Sequence, residues 1–110
     1  MAAPLADRSC AVCRPGTPTL VEAAAGELLK QLTGWKVEGS TLTRTFPFKG
    51  FMPGVRLVDR IAEIAEAEGH HPDLHLSYGS LRVDLTTHAA GGLTENDFIL
   101  AAKIDRLVAS

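Results

Sequence analysis

Apolar residues recur along this chain at two spacings, helical in some stretches and alternating in others, and the succession predicts an order of elements. Leu20, Ala24, Leu28 and Leu32 form one helical stripe. Thr19-Leu-Val-Glu22 opens it in the form of a capping box and Gly34 closes it. Trp35 to Glu38 and Thr41 to Phe46 then predict two strands around a Gly39-Ser40 turn, with Trp35 and Val37 on one face and Pro47 closing the hairpin. From about Val55 to Glu68 the helical spacing returns, with Val58, Ile61, Ile64 and Ala65 on one face, and Gly69 and Pro72 end it. Leu74, Leu76 and Tyr78 alternate with His75 and Ser77. After Gly79-Ser80, Leu81, Val83, Leu85 and Thr87 alternate with Arg82, Asp84, Thr86 and His88, which predicts a second hairpin. Thr94-Glu-Asn-Asp97 has capping-box spacing and starts a last helix, with Phe98, Ala101, Ile104 and Val108 as its buried stripe.

The predicted order is α-β-β-α-β-β-α, an α+β fold in which a four-stranded antiparallel sheet carries three helices on one face. The uncovered face and the sheet edges predict self-association. Residues 1–18 hold Pro4, Pro15, Gly16 and Pro18 without periodicity and read as an extended N-terminal arm before a single domain over residues 19–110.

Charge and composition narrow the function. The net charge is -2 and the basic residues are scattered, which argues against a nucleic-acid surface. No apolar run approaches the roughly 18 residues of a membrane span. There is no apolar segment near the N-terminus and Asp7 comes early, so a cytoplasmic protein is expected, with an organellar copy left open. Cys10 and Cys13 form one Cys-x-x-Cys. It reads as half a zinc site lacking a second pair, as a redox pair lacking the usual strand-to-helix setting, or as reduced cysteines on a loosely ordered arm, the reading that Pro15, Gly16 and Pro18 favour.

The chemistry concentrates between Glu66 and Asp97, where all four histidines lie. Histidine exchanges protons near neutral pH, and a rigid loop at a scaffold edge is a frequent place for catalytic groups. His70 and His71 lie between a helix end and a strand start, beside Pro72. Pairing around Gly79-Ser80 returns His88 to their neighbourhood, so three imidazoles are expected at one cleft, able to act as acid, base and hydrogen-bonding group. His75 alternates with strand apolars and reads as a surface position. Glu66 reads equally as a solvated helix-end carboxylate, Asp97 as the partner of Thr94 in the cap, and Tyr78 as core or edge packing. A His71-x3-His75 metal pair needs a helix, which Pro72 forbids, so no metal is expected. Ser77 and Ser80 lack a nucleophile-elbow setting.

Glu66, His70-His71-Pro72, Tyr78, His88 and Asp97, at these separations, together with Gly92-Leu-Thr-Glu-Asn-Asp97, resemble the pterin-4a-carbinolamine dehydratase family. The resemblance covers roughly residues 19–108 and is weaker before residue 60. The family's element order is the one predicted above. The resemblance implies dehydration of a 4a-hydroxytetrahydropterin to a quinonoid dihydropterin, without metal or cofactor. It implies His70 and His88 as proton-transfer residues, His71 as a residue that holds the pterin, Thr86 and Thr87 as hydroxyl-bearing pocket positions, Glu66 as a pocket-edge carboxylate and Asp97 as a support for the histidines. It also implies a homodimer or homotetramer. Asp73-Leu74 after His-His-Pro, and the Cys-x-x-Cys, are similar to plant, protist and bacterial members. Animal members, which also serve as dimerisation partners of homeodomain transcription factors, carry an acidic residue and an aromatic there.

The enzyme reading, pterin recycling by histidine acid–base chemistry, stands beside two others. One is a protein-interaction module of the transcription-factor dimerisation type, and the other is an enzyme acting on a related pterin, as in molybdopterin metabolism. Presence of all three motif histidines favours the first.

Overall fold

In a computed structural model, which describes residues 4–11 and 17–109, the elements follow in the predicted order. They are α1 (Glu22–Leu29), β1 (Lys36–Glu38), β2 (Thr41–Pro47), α2 (Met52–Glu68), β3 (Asp73–Ser77), β4 (Ser80–Leu85) and α3 (Glu95–Ala109). Two short 3-10 turns, Leu5–Asp7 and His88–Ala90, complete the set. The four strands form one antiparallel sheet in the order β1-β2-β4-β3.

Register explains which face is covered. Leu42 pairs with Leu85 and Phe46 with Leu81, while Leu74 and Leu76 of β3 face Val83 and Leu81. Side chains alternate along a strand, so these residues share one face. Against it pack Leu57, Ile61 and Ala65 of α2 and Phe98, Ala101 and Ile104 of α3, all buried. Each leucine, isoleucine or phenylalanine among them contributes about 1.5–3 kcal/mol by leaving water, and each alanine roughly a third to a half of that. The opposite face pairs Thr43 with Asp84 and both Thr45 and His75 with Arg82, and it is polar.

Several boundaries differ from the sequence expectation, each for a tertiary reason. The Thr19 capping box does not form. The Leu20 N–H donates to the Leu93 carbonyl at 2.9 Å, which holds the chain out of helix until Glu22, and Val21 caps α1 without a side-chain bond. The helix stops at Leu29, short of Leu32. Helix α2 starts earlier, at Met52, because Pro53 is tolerated in a first turn whose N–H groups have no intrahelical acceptor. Val37 and Val108 are exposed, not part of the core, and Tyr78 projects into solvent from the β3–β4 turn. Strand β4 ends at Leu85, so His88 opens a 3-10 turn instead of closing a strand.

The largest difference concerns the arm. Residues 4–11 are not a loose extension, because Leu5 is 1% exposed within the hydrophobic core and Lys103 donates to the Ala6 carbonyl at 2.9 Å. Cys13 lies outside the described residues.

Candidate active site

Four chain segments meet at one cavity of about 350 Å³, at the small end of the roughly 300–1,000 Å³ typical of small-molecule sites. The end of α2 supplies Glu68, Gly69, His70 and His71. The segment after β4 supplies Thr86, Thr87, His88 and Ala89. Asn96 comes from the first turn of α3, and Cys10 and Ala11 come from the N-terminal arm.

His70 is placed by the way α2 stops. Gly69 adopts the left-handed conformation (φ 65°, ψ 27°), its N–H donates to the Glu66 carbonyl at 3.3 Å, and the His70 N–H donates to the Ala65 carbonyl at 3.2 Å. These two bonds form a Schellman motif. The helix stop therefore fixes the backbone of the first histidine. Its ring is held by Asp97, whose Oδ1 lies 2.6 Å from Nε2.

Asp97 is fully buried, and its other oxygen is also occupied. Oδ2 accepts the Thr94 N–H at 2.9 Å and the Thr87 hydroxyl at 2.9 Å. The Thr94 hydroxyl in turn donates to Thr87 at 2.8 Å, because Thr87 has already given its proton to Asp97. Only half of the expected capping box is therefore made. The carboxylate returns to the Thr94 N–H, while the Thr94 hydroxyl turns to Thr87. A carboxylate accepting at Oδ1 makes His70 Nε2 the donor and leaves Nδ1 as the nitrogen able to take a proton.

The other expected residues fall around this pair in different ways. His71 reaches back to Glu66, Nε2 to Oε1 at 2.6 Å, and both side chains are exposed; Glu66 does not line the cavity. His88 is exposed and, among the described residues, has no side-chain hydrogen bond. Thr86 lines the cavity but donates its hydroxyl to the Ser40 carbonyl at 2.7 Å. Pro72 is half-buried outside the cavity lining, and His75 faces away on β3, 3.3 Å from Asp84. Among the described residues, no three His, Cys, Asp or Glu side chains converge as a metal would require.

Cys10, Ala11, Glu68 and Asn96 were not anticipated. Glu68 and Asn96 lie inside the motif-bearing segment, but solvated helix ends and capping turns commonly carry such residues. Nothing in the sequence marks the arm as a pocket wall. Burial, and next the negative charge of Glu68, push the Cys10 thiol up from the ordinary 9.0 to about 12, so it stays protonated and is a poor nucleophile.

The sequence model of the family described as pterin 4 alpha carbinolamine dehydratase matches residues 18–107. The chain belongs to this family. Among dehydratase relatives, a Nitrosomonas eutropha protein is 47% identical over 107 residues, spanning 96% of this chain and 95% of its own. The mitochondrial pterin-4-alpha-carbinolamine dehydratase 2 of Arabidopsis thaliana is 44% identical over 94% of this chain and 60% of that longer protein. A crystal structure of a transcriptional coactivator/pterin dehydratase from Brucella melitensis superposes with a TM-score of 0.77 at 35% identity. That match covers 82% of this chain and 98% of the other.

Proposed function

We propose that this member of the dehydratase family converts a 4a-hydroxytetrahydropterin to quinonoid dihydropterin and water by histidine acid–base catalysis. The observation that carries the reading is the lining of one cavity by His70, His71 and His88, with buried Asp97 behind His70. The reaction breaks the C4a–O bond. The departing oxygen takes a proton and leaves as water, while a ring N–H proton is lost and its electron pair forms the new C=N bond. Without a proton delivered to it, hydroxide is a poor leaving group, so the site needs a donor and an acceptor at once.

His70 and His88 carry these protons. Asp97 holds His70 in the tautomer whose free nitrogen accepts, and His88, whose ring has no side-chain hydrogen bond among the described residues, lines the same cavity. His71, tied to Glu66, holds the pterin. Thr87 acts through Asp97, and Thr86 shapes the wall. The chain works as a homo-oligomer in pterin recycling, with the polar sheet face and edges open to self-association.

The name of the Brucella structure also includes a coactivator role, which favours an interaction module as the second reading. The two separate cleanly. Purified protein should accelerate dehydration of 4a-hydroxytetrahydropterin equally with and without a chelator. Well-folded protein that gives no acceleration would transfer the case to the interaction module.

A further inference from the structure

Part of the cavity lining, Cys10 and Ala11, comes from outside the α/β elements that carry the histidines. Both belong to the N-terminal arm, which lies outside the family match beginning at residue 18. Its attachment is specific. The Asn96 side chain holds Ala11 at two points, accepting the Ala11 N–H at Oδ1 (2.9 Å) and donating from Nδ2 to the Ala11 carbonyl (2.7 Å). Asn96 is 5% exposed, so this amide is committed inside the protein, where leaving it unpaired would be costly. The Glu68 carboxylate accepts the Cys10 N–H at 2.7 Å, and the Cys10 thiol lies 3.7 Å from the Asn96 carbonyl. Leu5 anchors the segment further back.

Asn96 and Asp97 are consecutive residues in the first turn of α3. One positions the arm and the other positions His70. A single helix start therefore positions both the proton-accepting His70 and the part of the arm that lines the same cavity.

We propose that Cys10 and Ala11 form a substrate-contacting wall of the histidine pocket, that Asn96 is the residue positioning it, and that the docked arm sets affinity for the pterin. The inference rests on the dehydratase reading and deepens it. Releasing the arm opens one side of the pocket and leaves the His70–Asp97 pair in place. The effect should therefore fall on KM and not on kcat. Where the arm is docked only about one-tenth of the time, the apparent KM rises about tenfold, because only the docked fraction offers the closed pocket.

Cys10 provides a reporter of docking that does not depend on turnover. In a Cys13→Ser background, iodoacetamide labelling at pH 8 reads Cys10 alone. Asn96→Ala removes both side-chain bonds to Ala11. Ala11→Pro removes one from the arm side without touching α3, which covers the case in which Asn96→Ala fails to fold. The expected result is faster Cys10 labelling with raised KM and kcat held within about twofold in either folded variant, and slower labelling of the parent protein when tetrahydropterin is added. Faster labelling with unchanged KM would overturn the inference and leave the dehydratase reading standing. Unchanged labelling would overturn the role of Asn96. Absence of turnover in the parent protein would defeat the dehydratase reading itself and the inference with it.

Discussion

At the scale of single residues, the site depends on how Asp97 distributes its two oxygens. It receives a ring N–H from His70, a backbone N–H from Thr94 and a hydroxyl from Thr87. Asp97→Ala strands all three donors, and one unpaired buried donor costs about 1–3 kcal/mol. Urea denaturation should show a loss at least that large. Asp97→Asn is the more informative change. Its carbonyl can serve Thr94 and Thr87, but its amide then faces Nε2 as a donor and forces the His70 proton onto Nδ1. Steady-state kinetics should show kcat falling by about 10²–10⁴, the range lost with one general acid or base, while KM moves far less. His88→Ala tests the other proton carrier. The side chain is exposed, so stability should stay within about 0.5 kcal/mol in the same denaturation assay while turnover is lost.

At the scale of elements, the ends of helices do more than their middles. Helix α2 stops in a motif that uses the backbone of His70, and the first turn of α3 carries the Asp97 that holds the His70 ring. Gly69 is the hinge of this arrangement. Gly69→Ala meets no atom within 4 Å, so its cost is the left-handed backbone alone, about 1–2 kcal/mol. The melting temperature should fall by roughly 4–8 °C for each kcal/mol. Gly26, in α1, also has nothing within 4 Å but no positive φ. There the same substitution should raise the melting temperature, because alanine is the better helix former by roughly 1 kcal/mol. Opposite signs from one chemical change would confirm that conformation, not space, decides at Gly69.

At the scale of the whole molecule, residues 4–11 of the arm belong to the folded unit. Leu5→Ala should destabilise the protein by about 2–5 kcal/mol in chemical denaturation, as a buried leucine does; an extended arm would give almost nothing. The arm is also sensitive to alkali. The docked Cys10 thiol ionises at about 12 against an ordinary 9.0, because burial and the charge of Glu68 oppose the thiolate. The folded value is the raised one. Its contribution to docking is therefore complete below pH 9 and is lost progressively as pH climbs from about 9 toward 12. Tryptic cleavage at Arg8 should accelerate above pH 9, and Cys10→Ser should abolish that acceleration.

Element order and the buried face of the sheet were legible in the sequence, because side-chain period follows directly from backbone geometry and a stripe of apolar residues on one face needs a core to cover it. The Gly69 stop was legible for a similar reason: few residues other than glycine adopt its conformation at low cost. The convergence of His70, His71 and His88 followed from hairpin pairing alone. What the sequence left open was decided by contacts between distant segments. The Leu20–Leu93 bond overrides a good local cap at Thr19. Thr87 diverts the Thr94 hydroxyl from its own helix. Asn96 and Glu68 recruit an arm whose prolines and glycine suggested no partner. Local signals report what a segment can form by itself, and only packing shows which of its hydrogen-bonding groups are claimed from elsewhere in the chain.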